Sequence, residues 1–339
     1  MPLPRVFVTR SLPGDALDRL AESAELDVWE DELPPPPEEL RRRAAGCHAL
    51  LTLLTDTIDG ELLDAAPDLV VVSNMATGFD NVDIAAASER AVLVTRTPGV
   101  LAETAADFTF ALLLAAARRV AEGDRHVRAG LWKTWGPSLL LGRDVHGATL
   151  GIVGLGGVGT EVAKRARGFD MEVVYYSRTR KPALERRYRL TYLPLDELLR
   201  RSDFVTLHTA LTPETHGLIG RRELGLMKET AVLVNTGRGP LVDQAVLSQA
   251  LAYGEIAAAA LDVTDPEPIA VDDPLLSLDN VVITPHIASA SVATRGEMAT
   301  MAVENLLAAL GGRLPKHTAN REIAAAWRRA RRRRLAPLA

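Results

Sequence analysis

Thr149-Leu150-Gly151-Ile152-Val153-Gly154-Leu155-Gly156-Gly157-Val158-Gly159 is the stretch that decides how this chain folds. Five strand-like residues run into a Gly154-x-Gly156-x-x-Gly159 turn, and residues 161–167 beyond it have helical spacing. Strand, glycine turn and helix in that order are the context in which such a turn holds a dinucleotide. Gly154 allows the tight turn, Gly156 lets backbone approach a pyrophosphate, and Gly159 lets helix and strand pack closely. The pyrophosphate charge then rests on the helix N-terminus.

Outward from this turn the pattern alternates. Residues 6–9, 48–52 and 69–73 read as short buried strands before it, and 172–176, 204–207, 231–235, 258–262 and 281–284 as strands after it. Helical spacing covers 15–23, 103–120 and 293–310, and Pro34 to Pro37 reads as an exposed extended loop. Strand–helix alternation implies parallel sheets, and 339 residues exceed what one core holds. The fold class is therefore α/β with two doubly wound parallel-sheet domains. A Rossmann-type cofactor domain over 103–285 is inserted into a flavodoxin-like substrate domain made of 1–102 and 286–339.

Composition narrows the function classes. A formal net charge of −5 argues against a general nucleic-acid binder, because phosphate contacts need a cationic surface. The single cysteine, Cys47, permits no internal disulfide and fits a reducing cytoplasm. The apolar run 110–117 is too short to span a bilayer, and no secretory segment precedes the first strand. A cytoplasmic protein with no membrane partner, no nucleic-acid partner and no metal is expected.

The second strand after the turn ends in Tyr176-Ser177-Arg178-Thr179-Arg180-Lys181. A fold preferring NAD places an acid there, on the ribose 2′-hydroxyl. Here Arg178 can pair with a 2′-phosphate while Ser177 and Thr179 donate to it, so NADPH is the expected cofactor, with NADH usable.

Three polar residues supply chemistry. Arg238 lies in Asn235-Thr236-Gly237-Arg238-Gly239, just past a strand's C-terminal end, where its planar fork can hold a carboxylate and point at a ketone oxygen. The flanking Gly237 and Gly239 let backbone come close to the cofactor. His286 follows Thr284-Pro285 at another strand end, and imidazole is suited to giving up a proton near neutral pH. Glu267, stiffened between Pro266 and Pro268, can orient that ring and balance its charge once protonated. Cation, acid and imidazole downstream of a dinucleotide turn imply hydride transfer to a carbonyl beside a carboxylate. His48, His146, His208 and His216 lack such partners and read as structural.

This set, in this order, resembles the D-isomer-specific 2-hydroxyacid dehydrogenases over nearly the whole chain. Within that family it looks most like the glyoxylate/hydroxypyruvate reductases, on Gly78-Phe79-Asp80-Asn81-Val82-Asp83, Thr97-Pro98-Gly99-Val100-Leu101, Ser177-Arg178-Thr179-Arg180 and His286-Ile287-Ala288-Ser289-Ala290. The resemblance implies reduction of a small 2-oxo acid to the D-2-hydroxy acid. Arg238 would then bind substrate, His286 would be the acid/base and Glu267 its partner. Backbone amides of Thr77 and Gly78 would hold the substrate carboxylate, and Leu54 would line its pocket. Asp262 would contact the nicotinamide carboxamide. Thr104, Leu155, Gly156, Gly157, Val158, Ala210, Thr236, His286 and Ala288 would touch the cofactor. Trp135 would reach the neighbouring subunit's site in a homodimer, or pack within its own chain. Gly157 stands where the family usually has a basic residue, and Thr77 where it usually has a valine-type one.

Two other readings stay open. Corepressors resemble this family, and a nucleotide-sensing regulator would give the arginine-rich stretch 328–334 an anionic partner. Otherwise that stretch is expected to be a solvated, frayed terminus. Among enzymes, a phosphoglycerate dehydrogenase would commonly carry a further domain for which no room remains after about residue 310, whereas formate or phosphite oxidation is only weakly opposed.

Overall fold

The computed structural model describes residues 2–338. The chain divides into two compact units, an inner one over Ala102–Ala290 and an outer one made of everything before and after it.

The outer unit has a five-stranded parallel sheet: β1 Arg5–Val8, β2 Glu25–Val28, β3 Ala49–Thr52, β4 Val71–Asn74 and β5 Leu93–Thr95, in the order β2-β1-β3-β4-β5. Its central strands are buried on both faces, as a parallel sheet covered by helices requires. β2 and β5 carry no expectation from the sequence. β2 (Glu-Leu-Asp-Val) is a half-exposed edge strand without an apolar run, and β5 is three residues long. Pro37 opens the helix Pro37–Ala44, its missing N–H being harmless in a first turn, so only part of the proline run is loop.

The inner unit has a seven-stranded parallel sheet: β6 Thr149–Val153, β7 Glu172–Tyr176, β8 Thr191–Tyr192, β9 Phe204–Leu207, β10 Val232–Asn235, β11 Ala258–Leu261 and β12 Val281–Ile283. The order β12-β11-β10-β9-β6-β7-β8 makes the chain reverse direction between β6 and β9, the switch point above which α/β sheets bind ligands. Two apolar layers cover its faces, one built on Phe110, Ile152 and Tyr175, the other on Leu198, Val205 and Leu247. The expected helix over 103–120 is in fact two, Ala102–Ala117 and Val120–Arg128. They are separated at Arg119, whose φ of 54° is left-handed.

Two expectations change here. The return crossing falls after Ala290 rather than after residue 285, so His286 to Ala288 belong to the inner unit. The cause is local: the amides of His286, Ile287 and Ala288 all bond Asp262 at the end of β11. The arginine-rich stretch is not a frayed end. It is the helix Ala324–Arg334, pinned by Trp327, which is wholly buried and donates from Nε1 to Val70 O at 3.1 Å. Among the described residues no helix is long and apolar enough to cross a membrane.

Candidate active site

β10, β11 and β12 are neighbours in one parallel sheet, so their C-terminal ends lie side by side at about 4.8 Å spacing. Each end hands over one polar residue. Beyond β10, buried Asn235 builds the turn that carries Arg238: its Nδ2 donates to Arg238 O at 2.8 Å, and its Oδ1 accepts from the Gly237 amide at 3.0 Å. Arg238 Nη1 donates to Gly237 O at 3.0 Å. A Cβ on Gly239 would sit 1.8 Å from Thr264 O, so the Arg238 turn lies backbone to backbone against the start of the Glu267 loop.

Glu267 and His286 form a pair, Nδ1 to Oε2 at 2.9 Å, with side chains 34% and 24% exposed. A carboxylate only accepts, so Nδ1 carries the hydrogen and Nε2 faces away from the pair. Glu267 Oε1 also accepts from the Thr264 amide at 3.3 Å, and Thr264 Oγ1 donates to Pro266 O at 2.8 Å. Gln244 braces the same loop from outside, accepting from the Asp265 amide at 2.9 Å while donating to Asp273 at 2.7 Å. His286 itself has a φ of 54°, a left-handed conformation uncommon for a non-glycine residue. It is held there by Asp262, which is almost fully buried. Asp262 O accepts the His286 amide at 2.9 Å, Oδ1 accepts from Thr284 Oγ1 and the Ile287 amide, and Oδ2 accepts from the Ala288 amide. Of about four acceptor directions on a carboxylate, one on Oδ2 remains for a nicotinamide carboxamide. The imposed backbone at His286 marks a site whose surroundings over-determine it.

The glycine turn lies at the end of β6. Gly154 has a φ of 100°, and a Cβ there would meet the main chain of His208 at 2.7 Å; a Cβ on Gly159 would meet Gly154 O at 2.1 Å. Gly156 has open space, and Gly157 would place a Cβ 3.6 Å from Ala102, an ordinary contact. The turn opens the helix Gly157–Ala166. Buried Leu155 and half-buried Val158 flank the turn. Next to it His208 keeps a buried Nε2 without a hydrogen-bond partner, and burial pushes its pKa down to about 3, so the ring is neutral. Thr236 is tied to Thr109, hydroxyl to hydroxyl, at 3.0 Å, and Thr104 lies on the helix Ala102–Ala117. Exposed Ala210 has its carbonyl held by Thr215 at 2.7 Å. At the tip of β7, Ser177 Oγ donates to Thr179 O at 2.8 Å, and Arg178 is exposed. An open glycine cradle at a helix start, with a neutral imidazole beside it, fits a dinucleotide.

In the outer unit the three assigned substrate residues sit on neighbouring loops. Leu54 follows β3; Thr77 and Gly78 follow β4. Asn81 bridges the two loops, donating to Leu53 O at 3.1 Å and Asp56 O at 2.8 Å, and Asn74 holds Gly78 O at 3.3 Å. The Thr77 hydroxyl donates to Thr97 O at 3.1 Å, which ties this residue to the loop that follows β5. The amides of Thr77 and Gly78 donate to no acceptor among the described residues. Trp135, by contrast, is 78% exposed, so packing within its own chain does not account for it.

Sequence reading missed Asn235, Gln244 and Asn81 as builders of these loops, and it read Gly239 as a close approach to cofactor where the structure packs it against Thr264. Only Asn235 carried a signal, its place two residues before Gly237 at a strand end.

Fold and site together define an NAD(P)-dependent oxidoreductase whose sheet end carries a histidine–carboxylate pair. Residues 110–288 match the model of the D-isomer specific 2-hydroxyacid dehydrogenase, NAD binding domain. The chain is 53% identical over 321 residues to a glyoxylate reductase of Korarchaeum cryptofilum, covering 94% of this chain and 97% of that one. A solved Thermus thermophilus structure has a TM-score of 0.88 at 52% identity, covering 93% of this chain and 99% of that one. An NADPH-dependent glyoxylate/hydroxypyruvate reductase of Sinorhizobium meliloti, solved with NADP and malonate, has a TM-score of 0.79 at 33% identity, covering 90% and 93%. The chain belongs to the D-isomer-specific 2-hydroxyacid dehydrogenase family.

Proposed function

We propose that this protein reduces glyoxylate and hydroxypyruvate to D-2-hydroxy acids with NADPH, in the cytoplasm and as a homodimer. The observation that carries the reading is the His286–Glu267 pair at 2.9 Å, at the strand end next but one to that carrying Arg238, on the sheet edge that also bears the glycine cradle.

When bound, the reduced nicotinamide supplies the hydride. Gly154 to Gly159 would take its pyrophosphate on the amides of a helix start, and Ser177, Arg178 and Thr179 its 2′-phosphate. Thr104, Ala210, Thr236, Gly237, Asp262 and Ala288 would complete the cofactor contacts. His286 Nε2 holds the proton that passes to the substrate's carbonyl oxygen, while Glu267 on Nδ1 stabilises the imidazolium before transfer and fixes the ring after it. Arg238 stabilises negative charge developing on that oxygen and anchors the carboxylate. The amides of Thr77 and Gly78 would take the carboxylate as well, beside Leu54.

The test is NADPH oxidation by purified protein with glyoxylate and hydroxypyruvate. Turnover in the wild type that falls by about a hundredfold or more in His286→Ala is expected. Cofactor binding without turnover on any 2-oxo acid would overturn the enzyme reading in favour of a sensor.

A further inference from the structure

Arg180 lies in the loop assigned above to the cofactor's 2′-phosphate, yet its guanidinium turns back onto the chain. Nε and Nη2 bond the two oxygens of Glu185 at 2.8 and 2.9 Å, a planar fork on a carboxylate. Glu185 Oε1 also accepts from Tyr175 Oη at 2.6 Å, and Tyr175 Oη in turn accepts from the Lys181 amide at 2.7 Å. Tyr175 is a fully buried residue of β7, edge-on to Tyr192 at 5.5 Å, and Arg180 lies over the Tyr192 ring at 5.9 Å. The loop 177–181 is therefore closed at its far end by a phenol rooted in the core. At its near end it is closed by the Ser177 to Thr179 bond of 2.8 Å.

The bond to Arg180 holds the Glu185 carboxyl down at about 2, and burial together with that carboxylate pushes the Tyr175 phenol up to about 12. Donor and acceptor thus keep their roles at every working pH. Arg178, two residues back, is exposed and makes no ion pair among the described residues. One arginine of the loop is clamped and the other is presented.

We propose that Tyr175 and Glu185 are positioning residues for cofactor discrimination, sequestering Arg180 and fixing the loop so that Arg178 is the cation that receives the 2′-phosphate. This rests on the NADPH reading. A loop already ordered before binding loses less freedom when the phosphate arrives. NADH, which brings no phosphate to this loop, should be indifferent to the clamp. The rival arrangement, in which Arg180 leaves Glu185 to grip the phosphate itself, predicts the opposite sign: weakening the clamp would then tighten NADPH binding.

The experiment measures dissociation constants of NADPH and NADH by fluorescence titration on Tyr175→Phe, Glu185→Gln, Arg180→Met and Arg178→Met. Tyr175→Phe and Glu185→Gln should weaken NADPH about five- to tenfold and leave NADH within about twofold, the loss expected when charge-assisted bonds that order a loop are removed. Arg178→Met should weaken NADPH more than Arg180→Met does. Unchanged NADH binding serves as the check that each variant is folded, and Arg180→Met, which truncates an exposed side chain, covers the case in which the buried variants do not fold. Tighter NADPH binding in Glu185→Gln, or a loss in Arg180→Met equal to that in Arg178→Met, would overturn the proposal. A wild-type chain that binds NADH as tightly as NADPH would defeat the cofactor reading. A wild-type NADPH preference that Tyr175→Phe and Glu185→Gln leave intact would defeat the clamp alone.

Discussion

At the scale of single residues, His286 stands on contacts to two acids with different tasks. Glu267 meets the ring and Asp262 holds the backbone. His286→Ala should lower kcat by about a hundredfold or more, the usual scale of acid–base catalysis, with little change in the NADPH dissociation constant. Near-normal kcat would remove the histidine from the mechanism. His208 provides a pH prediction. Its folded pKa of about 3 lies below the ordinary 6.5, so between these values the unfolded chain binds a proton that the fold does not. Stability should therefore fall as pH drops through that window, by up to about 1.4 kcal/mol per pH unit for this one group. Melting curves from pH 7 to pH 4.5 should fall less steeply in His208→Asn than in wild type; parallel curves would refute the assignment. At Gly157 the open contact of 3.6 Å leaves room for a side chain where the family usually has a base. Gly157→Arg should lower the NADPH dissociation constant several-fold by adding a charge beside the pyrophosphate, as fluorescence titration would show. That Arg238, Glu267 and His286 lie just beyond strand ends was legible in sequence, because each follows a buried strand pattern. His208 and Gly239 were not, because what matters about them is which backbone lies against them.

Among elements, the long buried strands announced themselves and the marginal ones did not. β9 and β10 are fully buried strands of three apolar residues and one polar residue each, and they fall where the sequence pattern puts them. β8, two residues paired to β7, has no pattern of its own and exists because β7 offers it an edge. The C-terminal helix Ala324–Arg334 was misread for a different reason. Six arginines within it suggest solvent, but two of them serve as caps. Arg331 Nε donates to Leu310 O at 2.8 Å, closing the C-terminus of the helix Val292–Leu310, and Arg334 donates to Leu69 O at 2.7 Å and Arg90 O at 2.8 Å. Composition cannot distinguish a guanidinium facing water from one bonded to carbonyls. Trp327 anchors the helix in the same apolar cluster as Leu20, Val71 and Leu306. Trp327→Ala should therefore cost about 3–5 kcal/mol, the range for emptying an aromatic site in a core. Urea unfolding with an unchanged slope would measure it, and a loss under 1 kcal/mol would mean the helix is dispensable.

For the whole molecule, the sequence indicated where an interface should lie without saying what surface it would offer. Residues Leu131, Trp132, Trp135, Leu139 and Leu141 of the inner unit are all exposed, the two tryptophans at 58% and 78%. The preceding helix Val120–Arg128 has no buried residue and leaves Val120 and Val127 in solvent as well. Exposed apolar side chains this close together along the chain are what an interaction site offers, since single chains rarely leave many uncovered in one segment. At about 25 cal/mol per Å², covering two indole rings of about 200 Å² each yields roughly 10 kcal/mol at most, comparable to what association itself costs. One copy of the patch against an unrelated surface would bind weakly. A two-fold interface uses the patch twice and exceeds the cost, which is why a second copy of this chain is the expected partner. Sedimentation equilibrium at micromolar concentration should give twice the chain mass. Trp132→Glu with Leu141→Glu should give the chain mass instead, because each buried carboxylate would sit unpaired in a desolvated contact. A wild-type chain that sediments as a monomer would leave these tryptophans without a partner and withdraw the dimer.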